Sequence, residues 1–250
     1  METKEEIVKK EYMNSKLSSI RVPVSIKTVG DWAFANCKLL REVSIPVTLQ
    51  RISPNCFYGC DSLKRIVIYE GEGEDAMILP ELVAVAVKLW DTDISKWIEL
   101  SKRPETFYEH FDWRMSVYAK EPDDTGYVPF IAGGEEDYEG DEYDLDSFMR
   151  KRSEEKCLAM YLRLISEGGK IKPCEYIRDY LREHNPIGAF SVILSVEDFK
   201  KEMFDIYTSM DLLNDDNVDE ILRLSANDPE LKTRVLRFKE AQAGSFFDLL

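Results

Sequence analysis

The chain of 250 residues holds only two histidines, His110 and His184, and five cysteines. That scarcity limits its chemistry. Neither histidine neighbours a Ser, Cys or Asp motif, so the sequence offers no nucleophile–His–acid arrangement. An odd number of cysteines, without the spacing of a small secreted scaffold, argues against a disulfide framework. No Gly-x-Gly-x-x-Gly, P-loop or His-Glu-x-x-His is present, and Gly133-Gly134 and Gly168-Gly169 are isolated pairs that read as turns. No catalytic residue, metal site or cofactor is expected. The longest apolar run, Met77 to Trp90, is broken by Glu81 and Lys88 and is too short to span a bilayer. Residues 1–10 lack the apolar core of a signal peptide, which makes a reduced, cytoplasmic location the expectation.

Basic residues are outnumbered by acidic ones, and unevenly so. The formal charge is −15. Residues 1–69 carry 11 Lys/Arg against 7 Asp/Glu, residues 70–150 carry 7 against 22, and residues 151–250 carry 15 against 19. The acidity belongs to the middle segment. Such a chain repels phosphate backbones and anionic lipid, so neither nucleic acid nor a membrane is expected as a partner.

What the chain does have is a repeat. Val29 to Ile45 aligns with Ile52 to Ile68 at an offset of 23 residues. A fixed period of this size predicts stacked coils. Each coil contributes a Leu-x-x-Val/Ile-x-Val/Ile strand: Leu17/Ile20/Val22, Leu40/Val43/Ile45 and Leu63/Ile66/Ile68. Period-2 alternation turns those pairs inward and leaves Arg21, Ser44 and Val67 on the other face. Ile26/Val29 and Leu49/Ile52 give each coil a second side to bury. Residues 3–12 are highly charged and read as a short helix.

The pattern Ile/Val-Gly-x-x-Ala-Phe-x-x-Cys-x-x-Leu-x-x-Val-x-Ile-Pro, met at Val29-Gly30-Asp31-Trp32-Ala33-Phe34 with Cys37 and Leu40, resembles the BspA-type (treponemal-type) leucine-rich repeat. In the second copy Pro54 follows Ser53 and Cys56 replaces the small Ala, without loss of an inward apolar position. The resemblance covers Ile20 to Ile68 and implies a right-handed solenoid. Three coils cannot bury both of their own ends, so whatever follows must cover the last one.

From Pro80 the reading turns helical. Pro80 to Trp90, Ile94 to Lys102 and a segment opening at Pro104 have apolar residues at helical spacing. Tyr127 to Ile131 reads as a short edge strand or extended segment, and Glu135 to Asp146 as an acidic solvated loop. Helices are then expected over Leu145 to Ser166, Pro173 to Glu183 and Pro186 to Leu194, with further ones capped by Ser195, Asn214 and Asp228-Pro229. This tail resembles the helical region attached to some cytoplasmic leucine-rich repeat proteins of Gram-positive gut bacteria. The resemblance rests on Tyr143-Asp144, Phe148, Glu155-Lys156, Arg163-Leu164, Leu212-Leu213-Asn214 and Val235-Leu236-Arg237-Phe238-Lys239. It implies ankyrin-like helix pairs and brings no activity with it. The fold class expected is therefore α+β: a three-coil leucine-rich repeat solenoid with a small parallel sheet over 1–70, an acidic helical capping segment over 71–146, and a helical region over 147–250.

Three constellations invite a chemical reading. Cys37 and Cys60 sit one coil apart, as a thiolate pair or as small apolar side chains stacked beneath the strand; the second is the habit of buried cysteine. Cys56, Cys157 and Cys174 fall at helical or core positions. Glu135, Asp137, Glu139, Gly140, Asp141, Tyr143 and Asp146 fit an EF-hand register, but Glu at the first position and Glu142 at the apolar one fit it poorly. The pairs Asp123-Asp124 and Asp215-Asp216 read as helix caps favoured by the helix dipole.

Taken together, the residues point to a non-enzymatic protein–protein interaction module. Its binding face would be the outward residues Arg21, Arg41, Ser44, Lys64, Arg65 and Val67, meeting an unidentified protein or covered by the chain's own acidic segment. Two other classes stay open: an enzyme or small-ligand protein with its site at the junction of coils and helices, and a purely structural or assembly protein. The oligomeric state is not legible.

Overall fold

A computed structural model describes residues 4–70, 78–90, 94–127, 144–166, 175–183 and 186–247. The chain divides into two compact units, Met1–Met115 and Ser116–Leu250. Compactness thus partitions it differently from composition, because the first helices after the repeats pack on the repeats.

Unit 1 begins with six short strands: β1 (Glu6–Ile7), β2 (Ser19–Arg21), β3 (Thr28–Val29), β4 (Glu42–Pro46), β5 (Arg51–Ile52) and β6 (Arg65–Tyr69). They form two parallel sheets, ordered β1-β3-β5 and β2-β4-β6. Each turn of chain adds one strand to each sheet. Ile20, Val43 and Ile66 stand in one row, and Ile7, Val29 and Ile52 in another. Between the rows, Tyr12, Phe34 and Phe57 stack face to face with centroids 5.3 and 5.6 Å apart. The core is therefore a set of side-chain ladders, each rung supplied by one coil.

Asn14, Asn36 and Gly59 occupy equivalent places, with φ of +60°, +57° and +67°. Each coil needs a left-handed residue there to turn toward the second sheet, and Asn and Gly tolerate that conformation best. At Gly59 space adds a second demand, since a Cβ would stand 2.3 Å from Asn36 Oδ1. Gly30 is required by proximity alone, because a Cβ there would meet the Lys9 backbone nitrogen at 2.8 Å.

The helix expected over residues 3–12 is not formed. Those residues are β1 and the arc after it, with Lys10, Tyr12 and Asn14 donating backbone hydrogen bonds to the carbonyls of Asp31, Ala33 and Ala35. The cause is a shift of register. Ile7 pairs with Val29, 22 residues on, whereas Ile20 pairs with Val43, 23 residues on. The first coil is one residue short between Ser15 and Ser19, which hides its first half from a fixed-period comparison.

Helices α1 (Pro80–Leu89), α2 (Ile94–Leu100) and α3 (Pro104–Tyr118) follow. Pro80 opens α1, where its missing N–H costs nothing. Helix α1 lies along β6 and against α2, and it buries Leu82, Val83, Ala84, Ala86 and Val87. That set spans more than one face because the helix is covered on more than one side. The last coil's carbonyls are finished by side chains: Ser95 donates to Ile52 O, and Lys102 Nζ donates to Leu49 O at 3.0 Å. Trp97, fully buried, stacks on Trp90 and meets Phe107 and Phe111 edge-on.

Unit 2 is helical among its described residues. It contains α4 (Leu145–Ile165), α5 (Glu175–Glu183), α6 (Pro186–Ser195), α7 (Lys200–Ser209), α8 (Val218–Leu224) and α9 (Pro229–Phe247). Helix α4 packs on α6 and α7, α5 packs on α6, and α8 packs on α9. Asp144 caps α4 by accepting the Ser147 N–H at 2.6 Å, so Asp144 to Asp146 belong to a helix start and not to the acidic loop. Ser195 does not cap the next helix. It ends α6 with its hydroxyl on Val192 O, and Phe199, at φ +62°, turns the chain into α7 instead. Asn214 is likewise not the cap of α8, which starts after Asn217. Asp228 does cap α9, accepting the Leu231 N–H at 3.1 Å. Apart from Asp146 and Tyr127, the calcium-like register and the expected strand at Tyr127–Ile131 lie outside the described residues. No helix of the described residues is long and apolar enough to cross a membrane.

Candidate functional site

The outward face of β2, β4 and β6 is where the sequence places a binding surface, and its centre is closed. Arg21, Ser44 and Val67 do form one row across the three strands. Ser44 and Val67, however, are each only 8% exposed. They are not available to a partner. Tyr69, the last residue of β6, is itself 1% exposed. It reaches back across β4 so that its hydroxyl donates to Val22 O at 2.5 Å. The Arg21 guanidinium lies over its ring, 3.8 Å from the centroid.

Arg65 is also engaged. Its Nε lies 3.2 Å from a Glu42 carboxylate oxygen on the neighbouring strand and 3.3 Å from Glu81 in the first turn of α1. A guanidinium held between two carboxylates fastens α1 to the sheet. One residue of the acidic middle segment thus meets the basic face. Arg41 and Lys64 remain at the surface, one coil apart, beside Ser18 in the first coil. Their backbones form a ladder, with Arg41 N donating to Ser18 O at 2.7 Å and Lys64 N to Arg41 O at 2.9 Å.

The four described cysteines are buried. Cys37 donates to Tyr12 O and Cys60 to Phe34 O, both at 3.1 Å, so each thiol completes the hydrogen bonding of the coil before it. Burial pushes the Cys60 thiol up to about 11 and the Cys157 thiol up to about 12, and it raises Cys56 well above the ordinary range. A thiol held protonated is a poor nucleophile and a poor metal ligand. Among the described residues, no three His, Cys, Asp or Glu side chains converge as a metal site would need. His110 lies among rings, 5.1 Å from Trp97 and 6.0 Å from Trp113. His184 and Cys174 lie outside the described residues.

One cluster in unit 2 has no counterpart in the reading of the sequence. Lys156, on α4, is 0% exposed. Its Nζ donates to Asp123 Oδ1 and to Glu121 O, both at 2.6 Å, and faces the rings of Tyr118 and Tyr180 at 5.0 and 5.7 Å. One turn earlier, Arg152 pairs with Glu121 Oε2 at 2.7 Å and donates to Thr125 O. The two cations hold residues 121–125 against α4. Asp123 is therefore the partner of a buried ammonium and not a helix cap. Burial raises Tyr118 to about 12 and Tyr180 further. With its protons directed at a carboxylate, a carbonyl and ring faces, Lys156 is placed to hold structure and not to attack a substrate. The helical spacing Arg152–Lys156 was visible; the carboxylate that admits the charge to the core comes from another segment.

No curated protein and no solved structure matches the chain. Residues 5–73 match the family model described as BspA type Leucine rich repeat region (6 copies), so the match begins beside β1 and ends shortly after β6. Over that stretch the chain is similar to leucine-rich repeat regions of the BspA type.

Proposed function

We propose that the repeats form a short solenoid, finished by α1 and α2, that serves as a non-enzymatic protein-interaction module. Leucine-rich repeats generally mediate contacts between proteins, and the match over residues 5–73 carries this reading. The contact surface is narrower than the outward face of the sheet. It is the corner before β4 and β6, where Arg41 and Lys64 stand exposed in successive coils. Two cationic side chains on neighbouring coils favour an acidic partner surface. The helical region after residue 147 is read as architecture with no activity of its own, and the cytoplasm as the place where the module works.

The test is reversal of Arg41 and Lys64 to glutamate in the full chain. A protein that co-purifies with the wild type should be lost from the variant while its unfolding midpoint stays within about 2 °C of wild type. Loss of stability in proportion to loss of the partner would make the corner structural and overturn the reading.

A further inference from the structure

The two ends of the coil stack are finished differently. At the third coil, Phe57, Leu63 and Ile66 are buried, and Ser95 and Lys102 bond the strand carbonyls. At the first coil, the equivalent Tyr12, Leu17 and Ile20 are only half-buried, although Phe34, Leu40 and Val43 directly behind them are fully buried. Strands β1 and β2 are the terminal members of their sheets at this end.

Backbone groups at this end are also left over. Along the arc between the sheets, an N–H of each coil donates to a C=O of the next: Lys10 to Asp31, Tyr12 to Ala33, Asn14 to Ala35, Phe34 to Cys56 and Asn36 to Tyr58. By the same register, the carbonyls of Lys9, Glu11 and Met13 turn toward the open end. The β1 edge is blunted, because Glu11 accepts the Val8 N–H at 2.9 Å and pairs with Lys4. On β2, Ser18 and Val22 bond toward β4, which by alternation turns the Ser19 backbone away from it. Among the described residues no side chain guards the Ser19 amide as Glu11 guards Val8. Lys9, Lys10 and Lys16 are exposed around this end.

We propose that this end of the coil stack docks an acidic, extended segment of a protein partner, which adds to β2 as a further strand. Main-chain bonds to the Ser19 edge supply the register, and alternate apolar side chains cover Tyr12, Leu17 and Ile20. Carboxylates between them meet Lys9, Lys10 and Lys16. A second copy of this chain is the poorer occupant, since pairing two such edges sets lysine against lysine. The proposal rests on the interaction reading but on different residues from Arg41 and Lys64, so the two fail separately.

The probe is a synthetic peptide alternating Glu with Val or Ile, compared with the same peptide carrying Lys for Glu. Both are titrated into the full chain, with hydrogen exchange followed residue by residue. The acidic peptide should bind and slow exchange of the Ser19 amide about tenfold or more. Ser19→Pro removes that donor at the first residue of an edge strand, where proline is tolerated, and should abolish binding. Lys9→Glu with Lys16→Glu should do the same, and it supplies the result if the proline variant does not fold. Failure of the acidic peptide to bind at millimolar concentration, equal binding of both peptides, or binding that survives the substitutions in folded protein overturns the proposal. So does a dimer in sedimentation that the acidic peptide cannot dissociate.

Discussion

Tyr69 at the end of β6 donates its phenolic hydrogen to Val22 O, two strands away, and so ties the last coil to the first. Tyr69 stands where the coil before it has Pro46. Tyr69→Phe should cost about 1 kcal/mol, the net worth of one buried hydrogen bond. Tyr69→Ala should cost about 4 kcal/mol, because a buried aromatic ring is lost as well. Urea unfolding of the two variants checks both values.

Gly59 carries two constraints that a pair of substitutions separates. Gly59→Ala should destabilise by about 2 kcal/mol or more, through the left-handed backbone and the contact with Asn36 Oδ1. Adding Asn36→Gly removes the contact but not the backbone cost. The double variant should therefore be more stable than the sum of the two single losses implies, by a coupling of about 1 kcal/mol in a double-mutant cycle.

The strands β4 and β6 were legible because two complete copies repeat at one offset, and the helices from Pro80 because proline and apolar spacing agree. Coil 1 was half legible: its strand β2 keeps the period, while β1 sits one residue out of phase. The closed outward face was not legible, since alternation says which way Ser44 points and not that it is buried there. Lys156 was hidden for a similar reason. Its burial depends on Asp123 and Glu121, which no spacing rule connects to α4. The ends of helices suffered most where a local cap competed with backbone geometry, as at Ser195 against Phe199.

Removing the buried ammonium should be costly. Lys156→Met leaves Asp123 without its partner and should lower stability by about 3 kcal/mol. Adding Asp123→Asn removes the stranded charge and should recover part of that loss. Equal stability of Lys156→Met and wild type in guanidinium unfolding would show that the pair contributes nothing.

Buried thiols should not react. In a Cys174→Ser background, the native protein should show no fast reaction with a thiol reagent at neutral pH, and Cys37, Cys56, Cys60 and Cys157 should all react once it is unfolded. Fast labelling of any of the four in the native state would contradict their place in the core.

Asp228 gives the fold a defined acid response. Its carboxyl is held below the ordinary range by the hydrogen bond from Lys200, with further help from the Leu231 N–H. A depressed folded value means that the ionised group stabilises the fold above the ordinary carboxylate range, and that this contribution fades as pH falls through the folded value. Asp228→Asn should cost about 1 kcal/mol at neutral pH and progressively less as the pH falls through the acid range. Unfolding curves across that range test this.

Helix α1 completes the core of the last coil, so that helix and strands open as one. Native-state hydrogen exchange on the full chain tests it directly. The amides of β4, β6 and α1 should share one opening free energy, and Leu82→Ala should lower it for all three by about 3 kcal/mol. If α1 exchanges at a lower free energy while β6 keeps its protection, and Leu82→Ala affects the helix alone, the coils hold together without it and the account is wrong.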